Sequence, residues 1–324
     1  MPAVLVTRGV PGPVREHLAG RCRLEVWEGE GVMPRAELLE RVEGKAGLLA
    51  MLTDRVDGEL LDRAGPELAV VANYAVGFDN LDLDACTARG VLATNTPDVV
   101  TEATADLTWA LLLAAARRVA GGDRFLRARR PWIWGPEFFL GFEVHGKTLG
   151  VIGLGRIGRA VARRAAGFGM PVLYTARHRL SAGEEAALGV AWRALDELLA
   201  EADFVTIHTG LSPATRHLIG TRELARMKPT AVLVNTARGP IVDEAALAAA
   251  LAAGELGAAG LDVFEHEPEV HPGLLDLDNA TIVPHLGTST LETRVAMGMT
   301  AAANLLAGLE GRRPPNLLNP EALG

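Results

Sequence analysis

Cysteine is scarce in this sequence, with only Cys22 and Cys86 among 324 residues. The two fall in separate predicted elements, and their spacing matches no metal-binding pattern. This excludes a disulfide-rich secreted scaffold and predicts no metal site. We interpret both residues as free thiols in a reducing cytoplasm.

Long apolar runs are missing as well. The longest apolar helical stretch, Leu107 to Ala116, ends at two arginines and is too short to span a bilayer. The apolar start, Ala3 to Val6, is interrupted at Arg8, too early for a secretory signal. We therefore expect a cytoplasmic protein with no membrane partner.

Positive charge and aromatic residues are sparse. The formal net charge is −8, and the only basic block is Arg127 to Arg130, so we expect no nucleic-acid partner. Aromatic residues make up 5% of the chain, whereas 49% of it is hydrophobic. A chain of this length and composition suits an α/β protein with two domains, each with its own core.

A glycine motif, GLGRIG at residues 153–158, is the clearest positive signal. The apolar run Thr148 to Ile152 before it is typical of a buried parallel strand, and a helical pattern follows it. Strand, glycine turn and helix together are what a dinucleotide-binding site requires. Gly153 allows the tight turn, Gly155 leaves room for a pyrophosphate, and Gly158 lets the helix pack against the strand.

The end of the next predicted strand, Pro171 to Tyr174, indicates which dinucleotide is bound. Sites that prefer NAD usually carry Asp or Glu there, to hold the ribose 2′-hydroxyl. This sequence has Thr175, followed by Arg177 and Arg179. Guanidinium groups without a carboxylate suit a 2′-phosphate, so the pattern favours NADPH, with a solvated basic loop as the alternative.

Strand and helix patterns alternate both before and after this motif, which predicts two doubly wound parallel-sheet domains of the α/β class. Two long helical patterns, Val99–Arg118 and Thr290–Leu309, are expected to join the domains. The predicted fold is a Rossmann cofactor domain, residues 99–287, inserted into a flavodoxin-like substrate domain formed by residues 1–98 and 288–324.

Residues 121–146 lack clear periodicity but contain several large aromatics, among them Trp132 and Trp134. Local structure cannot hide this many rings, so we expect the segment to pack on another domain or another subunit. We interpret it as the arm of a homodimer.

Candidate substrate loops follow two predicted strands of the first domain, at Met51 to Asp54 and at Tyr74 to Asn80. Ligands on open α/β sheets collect beyond the carboxyl ends of the strands. The N–H groups near Gly77 could receive a carboxylate, although a plain turn explains this glycine equally well.

Three ionisable residues follow predicted strands of the second domain: Arg238 in NTARG, Glu267 in VFEHEP and His285 in VPHLGTST. An Arg can clamp a substrate carboxylate and polarise the neighbouring carbonyl. A His can protonate the oxygen while hydride reaches the carbon, and a Glu can hold the imidazole and favour its charged form. The set suits reduction of a 2-keto acid. Spacing alone leaves the pairing of His285 with Glu267 open, and His208 and His217 can be structural.

Five motifs together resemble the D-isomer-specific 2-hydroxyacid dehydrogenase family: GLGRIG, HTGLSPATRHLI, LVNTARGPIVDEAAL, GAAGLDVFEHEP and PHLGTST. The match runs over nearly the whole chain, in the family's order and spacing. NYAVGFDNLD, the pair Trp132 and Trp134, and YTAR resemble the glyoxylate/hydroxypyruvate reductase branch. Thr209–Gly210 replaces a bulkier pair of many relatives, which leaves the shape of the adenosine and nicotinamide side open.

The resemblance, with the motifs above, implies a role for each site residue. The catalytic residues are Arg238, Glu267 and His285. Substrate contacts are expected from Leu52, Val76, Gly77, Arg238, His285 and Trp134, where Trp134 or Trp132 comes from the partner subunit. Cofactor contacts are expected from Thr104, Gly153, Gly155, Arg156, Ile157, Gly158, Arg177, His178, Arg179, Thr209, Pro213, Thr236, Ala237, Asp262 and Gly287.

The sequence therefore predicts a homodimer that reduces glyoxylate and hydroxypyruvate with NADPH, to glycolate and D-glycerate. The nearest alternative is another D-2-hydroxyacid dehydrogenase, acting on a larger or phosphorylated 2-keto acid. A phosphorylated substrate needs an extra basic residue, for which Arg55 is the one obvious candidate. A nucleotide-sensing, corepressor-like binding protein is the alternative from another class.

Overall fold

The computed structural model describes residues 1–323 and divides the chain into two compact units. One unit combines Met1–Val100 with Ser289–Gly324, and the other is Thr101–Thr288. Across residues 1–323, no helix combines the length and the apolar character that crossing a bilayer demands.

Both units are built from short strands and flanking helices. Within the described residues the strands are β1 (Ala3–Val6), β2 (Arg23–Val26), β3 (Gly47–Ala50), β4 (Val70–Asn73), β5 (Leu92–Thr94), β6 (Leu149–Ile152), β7 (Val172–Thr175), β8 (Val190–Trp192), β9 (Phe204–Ile207), β10 (Val232–Asn235), β11 (Ala258–Leu261) and β12 (Ala280–Ile282).

The helices cover both faces of the sheets. In the same residues they are α1 (Gly12–Ala19), α2 (Arg35–Arg41), α3 (Gly58–Ala64), α4 (Leu83–Ala88), α5 (Thr101–Ala116), α6 (Val119–Arg127), α7 (Arg156–Ala165), α8 (Ala182–Leu188), α9 (Leu195–Glu201), α10 (Thr221–Leu224), α11 (Glu244–Ala253), α12 (Pro272–Leu275) and α13 (Leu291–Leu309). Short 3₁₀ turns lie at Ala166–Phe168, Gly239–Ile241 and Pro320–Leu323.

The sheet of the first unit has the order β2-β1-β3-β4-β5, with every pair parallel. The residues of β3 and β4 are all buried, because helices cover both faces of a parallel sheet. This is the flavodoxin-like order, and it confirms the fold predicted for the first domain.

The sheet of the second unit has the order β12-β11-β10-β9-β6-β7-β8, again with every pair parallel. Side chains of β6 alternate between two hydrophobic cores, with Val151 in one and Ile152 in the other. The strand order reverses between β6 and β9, which is the point where doubly wound sheets bind their ligands. The Rossmann fold predicted from the glycine motif is confirmed.

Two predicted boundaries were wrong. The helix expected over residues 99–118 is shorter, and Arg118 adopts a left-handed conformation with φ 53° before a new helix, α6, begins. That helix occupies the start of the segment expected to be irregular, residues 121–146. A residue in the left-handed region breaks the helical hydrogen-bond ladder, which explains why α5 ends before Arg118 and α6 begins as a separate helix.

Candidate active site

The glycine turn joins β6 to α7 and owes its shape to two close backbone approaches. Gly153 has φ 91°, and a Cβ there would lie 2.8 Å from the carbonyl carbon of His208. A Cβ on Gly158 would lie 2.1 Å from the carbonyl oxygen of Gly153. Both positions therefore need glycine for the protein to fold this way.

Gly155 differs from its two neighbours. Its φ is −76°, and a Cβ added there would meet nothing within 4 Å. The protein itself gives no reason for a glycine, so the open space in front of α7 is available to a ligand. Arg156 and Ile157 begin α7, and no side chain caps its free N–H groups. These features fit a dinucleotide pyrophosphate.

The loop after β7 carries the basic residues expected at the adenosine end of the cofactor. Thr175 is the last residue of the strand, and Arg177 and His178 are exposed. Arg179 is held differently: its Nε donates to Glu185 Oε1 at 2.9 Å. The two arginines, which sequence reasoning treated alike, are thus in different environments.

The loop after β9 contains Thr209, which is half-buried, and Pro213, which is exposed. Thr215 Oγ1 donates to the carbonyl of Gly210 at 2.7 Å and keeps the loop closed. Before it, His208 Nε2 is buried and has no hydrogen-bond partner in the described residues. Burial lowers the pKa of His208 to about 3, so this imidazole is neutral.

Hydrogen bonds link the cofactor candidates at the ends of β10, β11 and β12. Thr236 Oγ1 lies 2.8 Å from Thr108 Oγ1, and Ala237 follows it in the same turn. Thr104 Oγ1 donates to the carbonyl of Gly287 at 3.3 Å. The Asp262 carboxylate accepts the Gly287 N–H at 2.9 Å. Thr108 Oγ1 also donates to the carbonyl of Thr104 at 2.8 Å, so these hydrogen bonds form one connected layer on the unit.

His285 and Glu267 are brought together. His285 Nδ1 lies 2.8 Å from Glu267 Oε2, and the other oxygen of Glu267 accepts the N–H of Phe264 at 3.0 Å. His285 has φ 52°, and its N–H donates to the Asp262 carbonyl at 2.8 Å. A histidine in the left-handed region is a strained conformation of the kind that clusters at active sites.

Arg238 follows β10 and is half-buried. Its Nη1 donates to the carbonyl of Ala237 at 2.8 Å, and Asn235 Nδ2 donates to the carbonyl of Arg238 at 2.9 Å. The backbone of the next residue, Gly239, lies so close to Phe264 that a Cβ would be 1.9 Å from its carbonyl oxygen. The segments that carry Arg238 and Glu267 are thus packed against each other.

The electrostatics favour an ionised Glu267. Burial by itself would raise the pKa of Glu267, but the hydrogen bond and charge of His285, the Phe264 N–H and the charge of Arg238 together lower it below its usual value. Burial raises the pKa of Asp262, against the opposing N–H groups of Leu286 and Gly287 and the charge of His285. A carboxylate beside an imidazole can hold that imidazole in its charged, proton-donating form.

The candidate substrate loops of the first unit are held by buried and half-buried polar side chains. Asn80 Nδ2 donates to the carbonyls of Met51 and Asp54 at 3.1 and 3.0 Å, around the half-buried Leu52. Asn73 Nδ2 donates to the carbonyl of Gly77 at 2.8 Å. Burial raises the pKa of Asp54, whose carboxylate also accepts the N–H of Met51 at 2.7 Å.

The same loops contain or adjoin two further candidate residues, Val76 and Arg55. Asn95 Nδ2 donates to the carbonyl of Val76 at 2.8 Å, which holds the residue before Gly77. Arg55, the candidate for binding a substrate phosphate, forms an ion pair with Asp57 at 2.9 Å. Sequence reasoning singled out these loops but missed the asparagines, because nothing local in the sequence reveals which carbonyl a side-chain amide will reach.

The aromatic residues of 121–146 are only partly hidden within the unit. Phe142 packs on a hydrophobic core, and Trp132 stacks on Phe138 with 6.0 Å between ring centres. Trp132 is nevertheless 56% exposed and Trp134 78% exposed. Large rings this exposed are typical of a surface that contacts another protein.

The chain matches the sequence model of the D-isomer specific 2-hydroxyacid dehydrogenase NAD binding domain over residues 109–287. It is 48% identical to the glyoxylate reductase of Pyrococcus furiosus, over 99% of this chain and 96% of that protein. A solved Thermus thermophilus structure is 49% identical with a TM-score of 0.91, covering 98% of this chain and 99% of that one.

A second solved structure is the NADPH-dependent glyoxylate/hydroxypyruvate reductase of Sinorhizobium meliloti in complex with NADP and malonate. It is 31% identical to this chain with a TM-score of 0.86, and the match covers 99% of this chain and 97% of that one. The family resemblance predicted from the five motifs is confirmed by these matches.

Proposed function

This chain belongs to the D-isomer-specific 2-hydroxyacid dehydrogenase family and is an NAD(P)-dependent oxidoreductase, and we propose that it reduces glyoxylate and hydroxypyruvate with NADPH. The products are glycolate and D-glycerate. The observation that carries the proposal is the 2.8 Å contact between His285 Nδ1 and Glu267 Oε2, in the unit that also holds Arg238 and the glycine turn.

We assign one role to each catalytic residue. NADPH, when bound, supplies the hydride that reaches the carbonyl carbon of the substrate. Arg238 clamps the carboxylate of the keto acid and polarises its carbonyl. His285 donates a proton to the carbonyl oxygen, so that hydride and proton together make the alcohol. Glu267 keeps the imidazole oriented through Nδ1 and stabilises its positive charge.

The two units take different tasks in this proposal. Thr101–Thr288 is the cofactor domain, in which the glycine turn receives the pyrophosphate. Met1–Val100 with Ser289–Gly324 is the substrate domain, whose Leu52 and Val76–Gly77 backbone contact the keto acid. The hydrogen bonds of Asn73, Asn80 and Asn95 to these loops support the assignment, because a site needs its loops held in place.

NADPH is proposed over NADH because β7 ends in Thr175, where NAD sites usually carry a carboxylate. Both arginines are exposed, but Arg179 is engaged by Glu185, so Arg177 is the residue we assign to the 2′-phosphate. The related reductase of Sinorhizobium meliloti is NADPH-dependent, which gives further support.

We further propose a cytoplasmic homodimer in which Trp134, or Trp132 beside it, closes the substrate pocket of the partner. Their exposure supports a subunit contact, and the buried free thiols of Cys22 and Cys86 suit a reducing compartment. Closure by an indole leaves room for substrates of two or three carbons.

A panel of initial rates tests the proposal. Glyoxylate, hydroxypyruvate, phenylpyruvate, 2-ketoisocaproate and phosphohydroxypyruvate are each assayed with NADPH and with NADH. We expect the highest kcat/KM for glyoxylate or hydroxypyruvate with NADPH. A higher value for a larger or phosphorylated acid would move the protein to another branch of the family, and negligible turnover with every acid would indicate a nucleotide sensor.

A further inference from the structure

One buried carboxylate outside the catalytic set, that of Glu244, holds two separate points of the chain. Glu244 is the first residue of α11 and is 6% exposed. Its Oε1 accepts the N–H of Glu265, and its Oε2 accepts the N–H of His271 at 3.2 Å. A buried carboxylate is costly without such donors, and the helix N-terminus adds a favourable dipole.

The two N–H groups close the base of a turn that carries Glu267. Between them, His266 and Glu269 pair as an antiparallel bridge, and the Glu269 N–H donates to the His266 carbonyl at 2.9 Å. Glu267 lies in the turn between these two bridged residues. The position of Glu267 is therefore coupled to Glu244, whose carboxylate accepts an N–H group on each side of the turn.

A histidine, His217, contacts the same turn from another side. His217 Nε2 is in contact with the Glu265 carboxylate. His217 has φ 49°, and its N–H donates to the carbonyl of Pro240 at 2.8 Å, next to the segment that carries Arg238. His217 thus links the base of the turn to the segment that carries Arg238. The sequence alone could not distinguish this linking role from an ordinary structural one.

We propose that Glu244 and His217 are positioning residues that hold Glu267 at hydrogen-bonding distance from His285. We call the group Glu244, Glu265, His271 and His217 the Glu244 clasp. The inference rests on the proposed function, since it takes His285 with Glu267 as the proton-donating pair. Arg238 and Asp262 are the other charged groups that act on Glu267, and neither belongs to the clasp.

The first test replaces Glu244→Gln, which keeps the shape but leaves one oxygen for two N–H donors. We expect kcat for glyoxylate to fall roughly 10- to 100-fold, because small misplacements of a catalytic group have effects of this order. The alkaline limb of the reduction profile should move to lower pH, while KM for NADPH stays unchanged. Glu255→Gln, an exposed position just after α11, removes the same charge and should behave as wild type.

The second test asks whether Glu244 acts through Glu267. Both Glu244→Gln and the double variant with Glu267→Gln are assayed for activity against pH. If the clasp works by positioning Glu267, the shift of the alkaline limb caused by Glu244→Gln disappears once Glu267 has lost its charge. A shift of equal size in both backgrounds would overturn the proposal.

His217→Gln covers the case in which Glu244→Gln does not fold, because the His217 side chain is partly exposed. His217→Gln should move the alkaline limb of the reduction profile to lower pH, by less than Glu244→Gln does. If Glu267→Gln moves the limb while His217→Gln and Glu244→Gln do not, the clasp is wrong and the proposed function stands. If wild type oxidises no NADPH with keto acids, or Glu267→Gln leaves the profile unmoved, the proposed function fails and the clasp with it.

Discussion

Arg179 and Glu185 form a bidentate ion pair, with Nε–Oε1 and Nη2–Oε2 distances of 2.9 and 3.1 Å. The Arg179 guanidinium also lies 5.4 Å from the centre of the Trp192 ring, and Tyr174 donates its hydroxyl to Glu185 at 2.8 Å. These contacts engage Arg179, which is one of the two arginines that follow β7. Our proposal therefore assigns the cofactor phosphate to the other arginine, Arg177.

The cofactor loop gives the first prediction. Arg177→Ala should lower kcat/KM for NADPH roughly 10- to 100-fold, mainly through KM, because a hydrogen bond to a charged group is worth about 1.5–3 kcal/mol. Activity with NADH should change little. Arg179→Ala is the matched control, since it removes the same charge from the same loop and should affect both cofactors alike.

The converse change should reverse the preference. Thr175→Asp with Arg177→Ala places a carboxylate where NAD sites carry one, so kcat/KM should become higher for NADH. Raising the salt concentration should weaken the wild-type preference. Equal kcat/KM for the two cofactors in wild type, or equal losses from Arg177→Ala and Arg179→Ala, would show that Arg177 does not meet the phosphate.

The glycine turn allows folding and binding to be separated. Gly155→Ala adds a Cβ in open space, so its thermal stability should stay close to wild type, within about 1 kcal/mol for a helix N-cap position. KM for NADPH should rise strongly. Gly158→Ala forces a Cβ against the Gly153 carbonyl and should cost on the order of 1–3 kcal/mol of folding free energy.

Thermal melts with and without NADPH check this pair of variants. Gly155→Ala should lose most of the stabilisation that NADPH gives to wild type, since stabilisation by a ligand follows its affinity. If Gly155→Ala binds NADPH as tightly as wild type does, the pyrophosphate does not lie at this position.

The carboxylate beside His285 should set the pH range of reduction. In the proposed mechanism, reduction needs Glu267 ionised and His285 protonated. Because the pKa of Glu267 lies below its usual value, the acid limb that it controls should lie at lower pH than the titration of a free Glu side chain. Glu267→Gln removes the charge that favours the imidazolium, so the alkaline limb should move to lower pH.

Glu267→Gln should also lower the rate of reduction, by up to about 10²–10⁴-fold, the range typical of lost acid–base catalysis. Profiles of kcat/KM against pH for wild type and Glu267→Gln measure both effects. Glu269→Gln removes a charge from the same turn at an exposed position and serves as the control. A wild-type rate in Glu267→Gln would rule out the pair as the proton source.

The exposed indoles should matter to assembly and to the substrate. Trp134→Ala should raise KM for glyoxylate without changing KM for NADPH, if the ring closes the pocket of a partner. Sedimentation of wild type should give a dimer. Ile133→Ala, at the neighbouring position, which is even more exposed, is the control. A wild-type monomer with full activity would contradict both the arm and its role.

The two thiols should be inert in the folded protein. Burial raises the pKa of the Cys86 thiol to about 11, and burial also raises the pKa of Cys22. Since the thiolate is the reactive form, a thiol reagent at neutral pH should label neither residue in the native state and both after unfolding. Rapid native labelling at pH 7 would show that the buried positions open readily.

Local patterns in the sequence were sufficient for the central strands and the glycine turn. The strands β3 and β4 are short apolar runs because both faces of the sheet are covered, and such runs are visible without any knowledge of contacts. The glycines at 153 and 158 mark the turn for a similar reason, because each prevents a clash within a few residues or with the adjoining strand end.

Other features depend on partners that are distant in the chain. No local pattern predicts the edge strand β2, because its residues, RLEV, are partly exposed and lack the apolar run of a buried strand. The different environments of Arg177 and Arg179 follow from Glu185 and Trp192, which only folding brings to the second of them.

The sequence by itself therefore determined the class of fold, the glycine turn and the residue types of the candidate active site. The tertiary structure decided which side chains meet: His285 with Glu267, and Glu244 with the turn that carries Glu267. The physical reason is that periodicity records only how deeply each residue is buried, whereas a hydrogen bond depends on the relative position of two backbones, which packing of the whole unit sets.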